Sequence, residues 1–407
     1  MSRSLLLSLL LLSTAQADSS SGRATSLRAQ GYAGLEKALA TGNDQLIDEV
    51  AQQRDAKASR LFWHTDLDEA KAEATRTGKP ILSLRLLGDL TQEYTCANSR
   101  FFRSALYSNP EISEVMRDQF VLHWSSERDV PVITLDFGDG RVMKSTITGN
   151  SIHYVLDADG RPIDAIPGLY GPAAFGEELQ AAVELSATLD GVAAEQRGAL
   201  LRVHHGSRLA EEGGEMVADL SEVRGTTDLA YVQQDLITAW MVDARKSDDL
   251  QPAAVVPMRF AVAKRMVEMP TLQRIDKRKG GAPENRTGSV GWLPPQEAEW
   301  SQLAQLHLED ARLADASVEL MRAEGSSQDF DAVVAGFELA MAEDTVRNSY
   351  LMRPRIRSWF ASGTAPQDLT ELNRRVYDEL FLTPAGDPTL GMVSPDAYTG
   401  LDGDGWQ

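Results

Sequence analysis

Lys79-Pro80-Ile81-Leu82-Ser83-Leu84-Arg85-Leu86-Leu87 opens the stretch that decides how this chain is read, and Cys96-Ala97-Asn98-Ser99 lies at its centre. The apolar run Ile81 to Leu87 reads as a central strand buried on both faces, as in sheets with helices on each side. Arg85 inside it is expected to reach the strand end and pair with a carboxylate. A polar loop, Gly88 to Thr95, leads to Cys96 and a helix-like segment, Arg100 to Tyr107. Asn109-Pro110-Glu111 starts a second helix, with Asn109 as cap, Pro110 at the first helical position and Glu111 in the positive first turn. Phe120 to Trp124 is a short buried strand. Val132–Phe137 and Arg141–Ile147 flank Gly138-Asp139-Gly140 as a hairpin, and Ile152–Leu156 and Arg161–Ile166 form another around Asp159-Gly160. Asp157 and Asp159 also suggest calcium, but a hairpin turn accounts for them. The stretch closes at Gly168.

Outward towards the N-terminus, Asp66 caps a helix with Glu69 three residues on, and Gly78 ends it. Trp63-His64 reads as a short strand, and Leu27 to Arg60 as one or two short helices. Arg3, the apolar run Leu5 to Leu12 and Ala15-Gln16-Ala17 form a secretory signal peptide, with cleavage expected after Ala17. Outward towards the C-terminus, Pro172 starts a helix running to about Leu189. Strand alternation then disappears. Helices are expected at 190–212, 227–245, 251–267, 295–324, 327–343, 345–361 and 366–381, with a basic loop at Lys277 to Asn285. The expected organisation is a signal peptide (1–17), a linker with short helices (18–58), an α/β domain (59–189), an all-α domain (190–381) and an extended tail (382–407). The two domains are expected to form separate cooperative units.

The order strand, Cys-x-x-Ser helix, Asn-Pro-Glu helix, strand and paired hairpins resembles the thioredoxin-like superfamily, in particular its secreted bacterial branch. The resemblance covers a quarter to a third of the chain. It implies a central mixed sheet flanked by helices, with Cys96 in the position of the first active-site cysteine. There the helix start favours a thiolate. As the one cysteine of the chain, standing at a helix start, Cys96 is also expected to be open to reagents. Ser99 stands where the second cysteine would be, so no dithiol cycle can be completed within the chain. No proline occupies the place near Ser151 and Ile152 where redox-active members carry one. The same alignment brings Asn150, Ser151 and His153 against the thiol.

Composition narrows the rest. A formal charge of −20 disfavours nucleic acid and anionic membrane as partners. The one cysteine of an exported chain is either a free thiol or a bridge to another molecule. The expected location is periplasmic or secreted. No cofactor is implied, and no metal, since Cys96, His153 and His123 lack a ligand spacing. His204-His205 and His307 come without a carboxylate motif, and Asp136-Phe137-Gly138 matches a kinase triplet by chance. Arg347 to Arg355 reads as a solvated helix face, kinked at Pro354.

Three functions follow. In the first, Cys96 engages a thiol or disulfide of another exported protein, with the helical domain binding that partner. In the second, the fold survives as a non-catalytic binding or scaffold module. In the third, Cys96 and His153 form a hydrolytic pair.

Overall fold

Local end signals act where the sequence puts them in this computed structural model. Described residues are 22–146, 150–226, 229, 232–245, 295–325, 328–381, 383 and 386. Helices α1 (Tyr32–Leu39), α2 (Asp44–Ala51) and α3 (Ala56–Ser59) pack around Leu35, Ile47, Val50 and Phe62 as a small core of their own. In α4 (Leu67–Thr77), the Asp66 carboxylate accepts from the Asp68 and Glu69 amides, and Gly78 ends the helix in the left-handed region at φ 72°. Such a cap contributes about 1 kcal/mol.

The sheet comprises β1 (Ile81–Leu87), β2 (Val121–Arg128), β5 (Ile152–Leu156) and β6 (Pro162–Pro167), in the order β2-β1-β5-β6. Strands β1 and β2 are parallel, whereas β5 runs antiparallel to both β1 and β6. Strand β2 is longer than its apolar run predicts, and Arg85 approaches Glu127 on it at 4.0 Å. His64 bridges to His123 and covers part of the β2 edge, where a short strand is expected. Between β2 and β5, the hairpin β3 (Val132–Asp136) and β4 (Val142–Thr146) forms a separate two-stranded sheet. Its Val132, Leu135, Phe137, Val142 and Met143 are 37–57% exposed. The second hairpin turns as expected, with Asp157 Oδ1 accepting from the Asp159 and Arg161 amides.

Two layers of helix cover the sheet. Leu84, Trp124, His153 and Ile166 share one face by register. That face meets α5 (Ala97–Phe101), the π-helical segment Phe102–Leu106 and α7 (Pro172–Leu189). His153 lies 4.8 Å from the Phe102 ring and 5.1 Å from the Phe175 ring. Helix α6 (Pro110–Gln119) packs against α7 and β2, capped by Asn109 as expected. The opposite face carries Ser83, His123, Tyr154 and Ala165. Tyr154 donates to Asn373 of α14 (Leu369–Arg375), in the far C-terminal part.

After α7 the chain is helical. Its elements are α8 (Ala194–Arg224), α9 (Val232–Arg245), α10 (Glu297–Leu306), α11 (Asp315–Glu324), α12 (Phe330–Arg347), α13 (Arg353–Ser362) and α14. A π-helical segment, Asn348–Met352, joins α12 to α13, and another, Val376–Leu380, follows α14. The helix expected at 295–324 is broken by a turn at Glu309–Ala311; that expected at 251–267 lies outside the described residues, as does the loop at Lys277 to Asn285.

One expectation is corrected, and one observation bears on the expected division near residue 190. The hydrophobic core does not stop near residue 190: one cluster joins Ile81, Leu84, Tyr154 and Phe175 to Trp359, Leu372, Val376 and Leu380. Helix α4 packs on β1 and β2, and α13 from the C-terminal part packs on β6. Nor is Arg347 to Arg355 a solvated face. Arg347, Asn348 and Arg353 are buried, Arg347 against Glu343 at 2.8 Å and over the Trp300 ring. Burial of guanidinium groups is tolerated here because each meets carboxylates.

Candidate functional site

The loop after β1 is shaped by Gly88. Its φ of 85° lies in the left-handed region, and a Cβ there would meet Val130 Cγ1 at 3.1 Å and Thr95 Cα at 3.2 Å. The Gly88 amide donates to the Arg128 carbonyl at 2.7 Å, and the Cys96 amide to the Leu87 carbonyl at 3.1 Å. Cys96 is thereby held at the N-cap of α5, directly beyond the end of β1.

The sulfur is enclosed. Cys96, Ser99, Thr95 and Asn98 are all fully buried, which corrects the expectation of an open thiol. Cys96 belongs to one apolar cluster with Tyr107, Leu380 and Phe381. Ser99 Oγ lies 3.1 Å from Cys96 Sγ, 2.8 Å from Thr95 Oγ1 and 2.9 Å from the Cys96 carbonyl to which it donates. One hydroxyl proton serves these three neighbours. With that proton given to the carbonyl, the thiol is left to donate its own to Ser99. Thr146 of β4 donates to the Thr95 carbonyl at 2.9 Å and accepts from Arg100 at 3.0 Å, tying the exposed hairpin to this loop.

Asn150 and His153 of the expected site make their hydrogen bonds with other residues than the thiol. His153 Nε2 meets the Tyr107 hydroxyl at 2.7 Å, and His153 shares no hydrogen bond with Cys96. Burial pushes the imidazole down to about 3, so it is neutral. Burial first, and Cys96 second, raise the Tyr107 phenol well above its ordinary value, so Tyr107 donates. The His153 proton then sits on Nδ1, which has no partner among the described residues. This is a core histidine in an aromatic cage, and the hydrolytic pair with Cys96 is not assembled. Asn150 donates to Thr383 Oγ1 at 2.8 Å and its carbonyl accepts from Tyr377 at 3.2 Å. Ser151 is buried, its Oγ without a partner among the described residues. Thr148 and Gly149 lie outside the described residues.

Two π-helical turns border the thiol. One, Phe102–Leu106, follows its helix and places Tyr107. The other, Val376–Leu380, carries Tyr377, whose phenol is raised by burial, then by Glu127 and Cys96. Such turns are rare and recur at functional sites. No signal in the local sequence ties Tyr377 to Cys96.

Two further features lie away from the thiol. His307 is clamped between Asp219 at 2.7 Å and Asp310 at 3.0 Å, and Tyr350 donates to the same Asp219 oxygen. The Asp219 hydrogen bond, against burial, pushes His307 up to about 9. A groove of about 1240 Å³ opens between α1, α4 and the β2 edge, lined by Tyr32, Phe62, His64, Glu73 and Lys79; Cys96 does not line it. Among the described residues no group of three or more His, Cys, Asp or Glu side chains is placed to hold a metal ion.

No protein-family model, no curated protein and no solved structure matches the chain.

Proposed function

We propose that the chain is an exported thioredoxin-like protein whose single thiol, Cys96, engages a thiol or disulfide of a partner protein. One observation carries this reading: Cys96 caps the helix that follows a central strand, in a sheet ordered β2-β1-β5-β6 with β5 antiparallel. That arrangement supports a thioredoxin-like relationship and the role the resemblance assigns to the position. Attack on a disulfide by Cys96 would form a mixed disulfide and release the partner's other sulfur as a thiolate. Ser99 cannot resolve the adduct, so a second thiol from outside must do so.

The enclosed sulfur and the exposed apolar side chains of β3 and β4 favour a second reading, a binding or scaffold protein without thiol chemistry. In neither reading does the chain cross a membrane by a described helix, since none is long and apolar enough.

An acid-quenched extract of cells exporting the protein separates the two. On a non-reducing gel the first reading expects adducts that vanish with reductant and are missing from Cys96→Ser. Lack of such adducts, together with partner capture undiminished in Cys96→Ala, would leave the scaffold reading.

A further inference from the structure

Strands β3 and β4 pair only with each other among the described residues, so both edges of this ribbon are open. The Phe137 amide donates to the Arg141 carbonyl at 3.1 Å across the turn. Register counted back from that bond puts the other bonds between the strands at Leu135–Met143 and Ile133–Ser145. The amides and carbonyls of Val132, Thr134 and Asp136 then point away from β4, and none meets another backbone group among the described residues. A two-stranded ribbon is marginal by itself, and an open edge is a template for a further strand. The β4 edge is anchored at its base, where Thr146 donates to the Thr95 carbonyl and accepts from Arg100. The β3 edge is the one left clear.

Side-chain placement narrows what can lie there. By register Ile133, Leu135 and Met143 share one face, and Val132, Thr134, Asp136, Val142 and Lys144 share the other. Exposed apolar side chains therefore stand on both faces, and neither face alone makes a stacking surface. Val132, Leu135, Phe137, Val142 and Met143 fall far short of the about 20–30 residues a side that a stable dimer needs. Two copies of a chain at −20 also repel each other. The charge along β3 is acidic. Asp139 pairs with Arg141 at 2.7 Å, whereas Asp136 accepts from the Gly138 amide at 2.8 Å and makes no salt bridge among the described residues. Lys144 stands opposite Thr134, one diagonal away from Asp136.

We propose that the outer edge of β3 binds an extended, basic segment of another protein as a third strand. Its main chain pairs with Val132, Thr134 and Asp136. Its apolar residues extend the Ile133 and Leu135 face, and a Lys or Arg on the alternate positions pairs with Asp136. The inference goes beyond both functional readings, because it asks nothing of Cys96.

The probe is a dye-labelled peptide of about seven residues alternating lysine and valine, titrated with the full chain and followed by fluorescence anisotropy. The peptide holds no cysteine, so its binding says nothing for or against the thiol reading. Wild type and Cys96→Ala should bind it alike. A peptide with glutamate for lysine should bind about 10-fold more weakly, and Asp136→Lys should reverse that order. Thr134→Pro removes an outward amide without breaking a bond between the strands, and should weaken binding about 10-fold. Lys144→Pro, on the β4 edge, should not. A peptide that does not bind overturns the proposal, as does binding that survives Thr134→Pro or fails in Lys144→Pro or Cys96→Ala. Dimerisation of the wild type that Thr134→Pro abolishes overturns the choice of partner in favour of a second copy. If Thr134→Pro does not fold, deuterium exchange of the wild type decides. The peptide should slow exchange at Thr134 and Asp136 at least about 10-fold, and unchanged exchange there overturns the proposal.

Discussion

Tyr154 in the middle of β5 donates its hydroxyl to Asn373 Oδ1 at 3.0 Å, across 219 residues of chain. Both groups are buried, and around them Leu372, Val376 and Leu380 close the second face of the sheet. The C-terminal helices are thus a layer of the sheet's own core. Residues 59–189 expressed alone should not fold, and the full chain should unfold in one transition by circular dichroism and tryptophan fluorescence together. Tyr154→Phe, which leaves Asn373 unpaired, should cost about 1–2 kcal/mol in urea denaturation. A stable, cooperatively folded 59–189 fragment would refute the shared core.

The enclosed thiol sets a second expectation. Cys96 in folded protein should react with iodoacetamide at least about 100-fold more slowly than in denatured protein, because only the exposed thiolate attacks. Cys96→Ala should fold, with a loss of about 1 kcal/mol for the small cavity. Native labelling as fast as denatured labelling would show that the cover is open in solution.

Gly88→Ala probes the loop that presents Cys96. A φ of 85° strains any Cβ, and Val130 and Thr95 leave the new methyl no room. A loss of about 2–3 kcal/mol is expected by urea denaturation, accompanied by faster Cys96 labelling in the native state. A neutral substitution would mean that this turn rearranges freely.

Arg353 joins β6 to α7 from α13, and its removal leaves Asp164 with the more distant Arg357 guanidinium at 3.7 Å. Arg353→Met should cost about 3–5 kcal/mol, since breaking a buried pair leaves an uncompensated charge. Paired replacement, Arg353→Met with Asp164→Asn, should recover part of that loss. A double variant no more stable than the single one would argue against direct coupling.

His307 gives the fold a pH window of its own. Its folded value, about 9, lies above the unfolded one, so its contribution is whole below about pH 6.5 and is lost as pH rises through about 9. Partial exposure and solvent screening reduce that contribution to about 1 kcal/mol. His307→Gln should flatten the urea midpoint between those two pH values. An unchanged slope would mean that Asp219 and Asp310 do not hold a charged imidazole.

The candidate site divides along the same line as the fold. Cys96 at a helix start beside Ser99 was legible, because strand, loop and cap are written in consecutive residues. So were the caps at Asp66 and Asn109, the left-handed Gly78 and the turn at Asp157 to Gly160, each closed by hydrogen bonds spanning a few residues. These are local choices between backbone wells, and the side chains that bias them are adjacent in the chain. Other features needed the tertiary structure. His153 looked like a partner for the thiol and instead bonds Tyr107. Arg347 and Arg353 looked solvated and are buried, because their carboxylates come from the same helix in one case and from β6 and α7 in the other. Tyr377 lies near Cys96 only after α14 has found the open face of the sheet. Which face a helix covers depends on shape and charge supplied by residues hundreds of positions away, and no local pattern encodes that pairing.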